Sequence, residues 1–285
     1  MSRRFLICAL FLLVALILGG EAFAAYKMEK IEDGVWAALA QPGGKATSNA
    51  IYVEGKHIGL AGGSHFDAAS LDELLAAIKT VSSKPLRFIV LAHHHRGFSH
   101  IDFDFPPGVE VILSEPTLES LKSEVRRVDF PHILYSDALQ LDLGGMNVVL
   151  SNTLRGHAEG DTLIALPEAE TIFTGDLVYV DSVGYLGDGS MRDWIIALSF
   201  IEELGPKRII PGYGPVSPLS AVDDFRSYLR AFFTEILAHI ERGESLAQTK
   251  KSFNLPAYQQ LPGYDLFMPK NIERAYNDLK ATLAE

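Results

Sequence analysis

Three apolar runs in this 285-residue chain each lead into a side chain able to hold a metal ion. Leu86 to Leu91 runs into His93-His94-His95, Met146 to Ser151 is followed by Arg155-Gly156-His157, and Thr171 to Thr174 runs into Gly175-Asp176. Short buried runs of this kind read as strands, and the residues just beyond them sit where loops gather ligands. A lone strand-end histidine is more often a satisfied polar group than a ligand. The recurrence describes side chains converging on one edge of a layered sheet. Alternate side chains of an extended segment share a face, so His93 and His95 are expected to point at one ion while His94 points away. Two imidazoles do not hold zinc alone; a catalytic site usually takes three protein ligands and a water, so the others must come from elsewhere in the chain. His132 and His239 are expected elsewhere.

The elements around these runs alternate. Gly34 to Leu39, Asn49 to Val53 and His57 to Leu60 read as a strand meander broken by Gln41-Pro42-Gly43-Gly44. Ser70-Leu71-Asp72-Glu73 resembles a capping box ahead of a helix that carries Leu74, Leu75, Ile78 and Val81 and closes at Pro85. Val109 to Leu113 reads as a strand, Pro116 to Val128 as a helix, and Ala138 to Leu143 as a further strand. This alternation predicts an α/β (α+β) layered fold. Beyond Pro215 the chain turns helical. Val222 to Ile240 carries Phe225, Leu229, Phe232, Phe233, Ile236 and Leu237 at helix spacing, Ser245 caps a short helix, and Asn271 is expected to start the last.

The first residues bear on destination. Arg3 and Arg4 precede the apolar run Phe5 to Leu18, and Ala22-Phe23-Ala24 follows, which is the order of a secretory leader. The run is shorter than the roughly 20 apolar residues that cross a bilayer. The organisation expected is a signal peptide over 1–24, one domain over 25–218 and a helical extension over 219–285 packed on it. The single cysteine, Cys8, leaves with the leader, so neither a disulfide nor a cysteine ligand is expected. Cleavage removes two positive charges and one negative, taking the formal charge from -11 to -12. An acidic chain without a basic run carries no electrostatic footprint for nucleic acid or anionic lipid. A periplasmic or secreted protein is expected, acting on a small molecule and without membrane contact after leader removal. The sequence leaves its oligomeric state open.

The pair His93-x-His95, the glycine-flanked His157, Phe173-Thr174-Gly175-Asp176-Leu177, Tyr185-Leu186-Gly187-Asp188-Gly189 and Ile209-Ile210-Pro211-Gly212-Tyr213-Gly214-Pro215 together resemble the metallo-β-lactamase superfamily of metallohydrolases. The resemblance implies an αββα four-layer sandwich with the metal site at one sheet edge. It also implies that His93, His95 and His157 form a three-histidine pocket and that Asp176 matches the carboxylate bridging two metals in family members. The family pattern H-x-H-x-D-H is broken here. Gly97 and Phe98 replace the aspartate and the third histidine, Tyr213 replaces the last histidine, and the aspartate expected near Leu60 to Gly62 is absent. His100 or Asp102, and less readily Asp104, are the local candidates to rescue the second pocket. The residues after Pro215 resemble the C-terminal extension of a subset of periplasmic family members.

Two functions follow as expectations. One is a hydrolase of an ester, thioester, lactone or amide with one zinc per chain. Asp176 would accept or orient the proton of water, and Tyr213 would donate a hydrogen bond to a developing oxyanion. Phosphodiesters fit less well, because their displacement commonly uses two metals. The other is a non-catalytic family member that binds or scaffolds in the cell envelope. A serine hydrolase built on Ser99, His100 and Asp102 fails locally, for the segment lacks the second glycine of a nucleophile elbow and sequence neighbours do not normally face each other.

Overall fold

The computed structural model describes residues 25–64, 67–95, 105–124, 127–153 and 155–283. The leader and the segment carrying Gly97, Phe98, Ser99, His100, Asp102 and Asp104 lie outside the described residues, so the readings placed on them are not addressed by the fold.

Two sheets form the centre. In the first, β1 (Tyr26–Glu32), β2 (Val35–Ala40), β3 (Ala50–Glu54) and β4 (Gly59–Gly63) run as an antiparallel meander. It then continues in parallel through β5 (Leu86–Leu91), β6 (Glu110–Ser114) and β7 (His132–Tyr135). The crossovers from β4 to β5 and from β6 to β7 carry helices α1 (Ala68–Val81) and α2 (Glu115–Ser123), because parallel neighbours need a long connection. The second sheet has the order β12-β11-β10-β9-β8. Its strands are β8 (Ala138–Asp142), β9 (Asn147–Asn152), β10 (Thr162–Leu166), β11 (Thr171–Tyr179) and β12 (Arg208–Tyr213). Helix α3 (Met191–Leu204) makes the crossover that leaves β11 and β12 parallel.

The side-chain alternation of the strands sorts the core into layers. Val90 and Ile112 meet Leu150, Ile164, Phe173 and Ile210 between the sheets. Their neighbours Ile89, Val111 and Leu113 point the other way, onto Leu71, Leu74 and Ile78 of α1. On the far side of the second sheet, Leu177 and Ile209 pack with Trp194 of α3 and with Leu229, Phe232 and Ile272 of the C-terminal helices. Those helices are α4 (Ser220–Glu241), α5 (Leu246–Ser252) and α6 (Tyr264–Thr282). Helix, sheet, sheet and helix therefore stack in four layers, with the C-terminal helices contributing to one continuous apolar cluster. Each fully buried aliphatic or aromatic side chain in these layers stabilises by about 1.5–3 kcal/mol.

Local signals fared unevenly. Ser245 caps α5 in a capping box with Gln248. Ser70, in contrast, is the third residue of the helix and closes the box, for Asp67 caps α1 and its carboxylate accepts from the Ser70 amide at 2.7 Å. Helix α2 ends at Ser123 rather than Val128. The last helix begins after Gly263, whose φ of 84° turns the chain, and not at Asn271. Asn271 is buried in that helix, where its carboxamide serves tertiary bonds: Oδ1 accepts from the Leu186 amide at 3.0 Å and Nδ2 donates to the Gly184 carbonyl at 2.8 Å.

Candidate metal centre

The site lies where the two sheets are sewn together just past β5. The Ala92 amide donates to Gly63 of the first sheet and its carbonyl accepts from Thr162 of the second, both at 2.8 Å. Held between sheets, the chain stops being a strand at Leu91.

His157 arrives on a loop after β9. The Thr153 amide closes that loop by donating to the Asp161 carbonyl at 2.8 Å, and the Asp161 carboxylate accepts from the Ala158 amide at 2.9 Å and also from the His157 amide. Burial pushes the Asp161 carboxyl well above its usual range despite these donors, and the charges of Asp176 and Asp188 add to the rise. The 184–189 segment clasps the loop from outside, with the Asp188 and Gly189 amides donating to the His157 carbonyl at 3.1 and 3.0 Å. A Cβ on Gly187 would stand 2.0 Å from that carbonyl oxygen, so only glycine fits there.

Asp176 lies within β11 rather than past its end. The strand continues to Tyr179 through a register shift around Gly175, whose φ is 51°. Such a bulge re-aims a side chain, here the Asp176 carboxylate toward the histidines. Both carboxylate oxygens are held. Ser48 Oγ donates to Oδ1 and the Tyr179 hydroxyl donates to Oδ2, each at 3.1 Å. A Cβ on Gly212 would come within 2.3 Å of Oδ1, which explains why the turn of β12 toward the site carries no side chain at that position.

The three expected imidazoles converge. The ring centroids of His93, His95 and His157 form a nearly equilateral triangle with sides of 5.0, 4.8 and 4.9 Å. One nitrogen from each lies within 4.8 Å of the others, and His95 Nδ1 approaches His157 Nε2 to 2.9 Å. Asp176 Oδ2 stands 3.7 Å from His157 Nε2 and 4.0 Å from His93 Nε2. His93, His157 and Asp176 are buried and His95 is partly exposed. Three nitrogens with a fixed carboxylate beside them fit a zinc ion that keeps an open position. Trp194 backs the pocket edge-on at 5.5 Å from His157 and is itself pinned by its indole N–H to the Leu177 carbonyl at 3.0 Å.

Tyr213 is stacked on Tyr179, with centroids 4.8 Å apart and planes at 16°. Burial and the nearby Asp176 charge push its hydroxyl pKa up, so it stays protonated and able to donate at neutral pH. Burial and Asp176 raise Tyr179 in the same way. Ser48 and Tyr179 were missed in the sequence; a serine two residues before a strand and a tyrosine three after Asp176 carry no local mark of their role.

His94 stands outside the three-histidine group, as alternation expects, but close by: its ring centroid is 4.3 Å from that of His95, and its Nε2 is 3.3 Å from Asp188 Oδ2. The other Asp188 oxygen is 3.4 Å from His95 Nε2. Burial opposes ionisation of Asp188, but its bonds to His94 and His95 outweigh that and hold the carboxyl far below its usual range. His132, exposed on β7, and His239, buried in α4, stand outside both groups of candidate ligands found among the described residues.

Comparison with known proteins agrees with this geometry. The family model of the Metallo-beta-lactamase superfamily matches residues 91–213, the stretch holding all three histidines, Asp176 and Tyr213. The Beta-lactamase-like protein 2 homolog of Caenorhabditis elegans is 23% identical over 189 residues, which cover 62% of this chain and 60% of that protein. The match thus spans less than two thirds of that relative's length. A metallo-beta-lactamase from Pontibacter korlensis superposes with a TM-score of 0.60 at 21% identity, over 72% of this chain and 99% of the other. The DIM-1 metallo-beta-lactamase gives 0.59 at 16% identity, over 72% and 97%. At such identities the solved structures establish the fold, while the family match falls on the residues that build the site. The histidine and aspartate groups support a metallohydrolase type of function, and the family match, the relative and the solved structures together support the metallo-beta-lactamase superfamily.

Proposed function

We propose that the protein is an exported hydrolase that uses one zinc ion in the three-histidine pocket to cleave an ester, thioester, lactone or amide in a small molecule. The observation that carries this reading is the convergence of His93, His95 and His157 beside a buried carboxylate. Zinc bound there would supply Lewis acidity and bring the pKa of water to about 7. The chain's own groups do the rest. Asp176 Oδ2, aimed at the pocket and steadied by Tyr179, orients water and takes up its proton. Ser48 keeps the second oxygen turned away, so the carboxylate presents one defined edge. Tyr213 donates its phenolic proton to the oxygen on which negative charge develops. Trp194 and the buried histidine faces limit bulk water. Export rests on the leader-like first 24 residues; among the described residues no helix is long and apolar enough to cross a membrane.

A second reading, a non-catalytic binding protein of the cell envelope, is favoured by one feature: both Asp176 oxygens already hold a protein hydroxyl. Kinetics separates the two. Zinc-loaded protein screened on esters, thioesters, lactones and amides should turn over at least one class, and Asp176→Asn should lower the rate much more than the zinc content. Equal rates in Asp176→Asn and wild type, or zinc-loaded protein inert on every class, would favour the binding role. Mass spectrometry of the exported product should find Ala25 as its first residue.

A further inference from the structure

We infer that Asp188 is a positioning residue of the metal pocket: its carboxylate holds the outer edge of His95 so that the inner edge faces the ion, and helix α6 sets where that carboxylate stands. This role rests on the three-histidine pocket of the proposed function and adds a group that acts on its ligands from behind.

The two edges of the His95 ring have separate partners. Nδ1 is 2.9 Å from His157 Nε2, inside the triangle of imidazoles, while Nε2 is 3.4 Å from Asp188 Oδ1. A histidine that ligates through one nitrogen commonly donates from the other to a carboxylate or carbonyl, which fixes its tautomer and the orientation of its ring. His95 needs that support most, being partly exposed where His93 and His157 are buried. The second oxygen of Asp188 lies 3.3 Å from Nε2 of His94, whose side chain is 1% exposed. The carboxylate thus spans two adjacent imidazoles, one of them a buried post, and swinging away from His95 would cost both contacts. The middle histidine of the triplet gains a role in this way although it lies outside the pocket.

The same loop backs His157. The Asp188 and Gly189 amides hold the His157 carbonyl, and a Cβ on Gly187 would stand 3.0 Å from His157 Nδ1, so the loop backbone runs along the rear edge of that ring. Helix α6 fixes the loop in turn. Arg274 donates to the Asp188 carbonyl at 2.6 Å and to that of Gly189, while Asn271 bonds the loop at Gly184 and Leu186. Asp278 of the same helix accepts from the Met191 amide at 3.2 Å, just beyond the loop. The C-terminal helix therefore acts on two of the three ligands through one short segment.

The test is the zinc dissociation constant of the full chain, measured by competition with a chelating dye. Asp188→Ala should weaken binding about 10–100-fold while still taking up one ion at saturation. Asp188→Asn, which keeps an acceptor oxygen in place and guards against misfolding, should lose less. The deciding readout is a double-mutant cycle with His95→Ala. If Asp188 works through His95, adding Asp188→Ala to His95→Ala should cost no further affinity, whereas a merely structural role would show its full loss in that background. Arg274→Ala should weaken zinc binding too, by less than Asp188→Ala; wild-type affinity there would overturn the role of α6. Wild-type affinity in Asp188→Ala, or equal losses with and without the His95 ring, would overturn the inference. If the three-histidine pocket itself were misassigned, wild type would bind no zinc or His157→Ala would bind it as tightly as wild type.

Discussion

Ser48 Oγ donates to Asp176 Oδ1 across 3.1 Å and so ties the segment before β3 to the bulged centre of β11. The same hydroxyl lies 3.2 Å from the Gly212 carbonyl, and Asn49 beside it donates to the carbonyls of Pro211 and Gly214 at 2.9 Å each. The carboxylate of the site is thus positioned by a seam between the sheets.

Replacing Ser48 by alanine removes a buried donor to a charged acceptor. Ser48→Ala should lower the unfolding free energy by about 1.5–3 kcal/mol. Urea unfolding with an unchanged slope would show the loss as a lower midpoint. Zinc content should stay as in wild type, because the three imidazoles are untouched.

Zinc should stabilise the native protein by linkage, by about 2.7 kcal/mol at 100 times the dissociation constant. Chelation should lower the melting temperature of wild type. His93→Ala should lose most of the zinc-dependent rise, whereas Asp176→Asn should keep it.

Asn271 is the link between α6 and the loop that carries Asp188. Asn271→Ala breaks two buried bonds at once and should cost about 2–4 kcal/mol, since each leaves a backbone partner unpaired. Hydrogen exchange should accelerate at the Leu186 amide well before the core strands respond.

Acid should act through Glu244. Its carboxylate accepts from Arg242 Nε at 2.6 Å and lies 2.7 Å from His239 Nδ1, and these partners, Arg242 first, hold its pKa at about 2 against an ordinary 4.5. A pKa depressed by folding contributes stability that is complete above the unfolded value and is lost as pH falls through the folded one. Wild type should therefore lose more stability than Glu244→Gln between about pH 4.5 and pH 2, as thermal melts in that window would show.

What could be read from the chain follows the range of the forces involved. His93, His95, His157 and Asp176 were legible because each follows an apolar run whose period and length mark a strand. Most strands and the long helix over Ser220–Glu241 were legible for the same reason. Strands β1, β7 and β10 and helix α3 escaped, their patterns being short or mixed. Ser48, Tyr179 and Asp188 acquire their roles only by contacts across the fold, up to 128 residues apart in the case of Ser48 and Asp176. Alternation carried past Leu91 separated His94 from His93 and His95, but nothing local marked that it would meet Asp188.

The stack of Tyr179 on Tyr213 ties the histories of two positions together. Tyr179 also holds Asp176, so one phenol supports both the carboxylate and the ring standing where the family carries its last histidine. An imidazole introduced at 213 would meet a face shaped for another phenol. Shortening Tyr179 to make room would release the carboxylate. Substitutions at 179 and 213 are therefore epistatic: the packing that a new ring at 213 needs can be made only at the expense of the bond that holds Asp176.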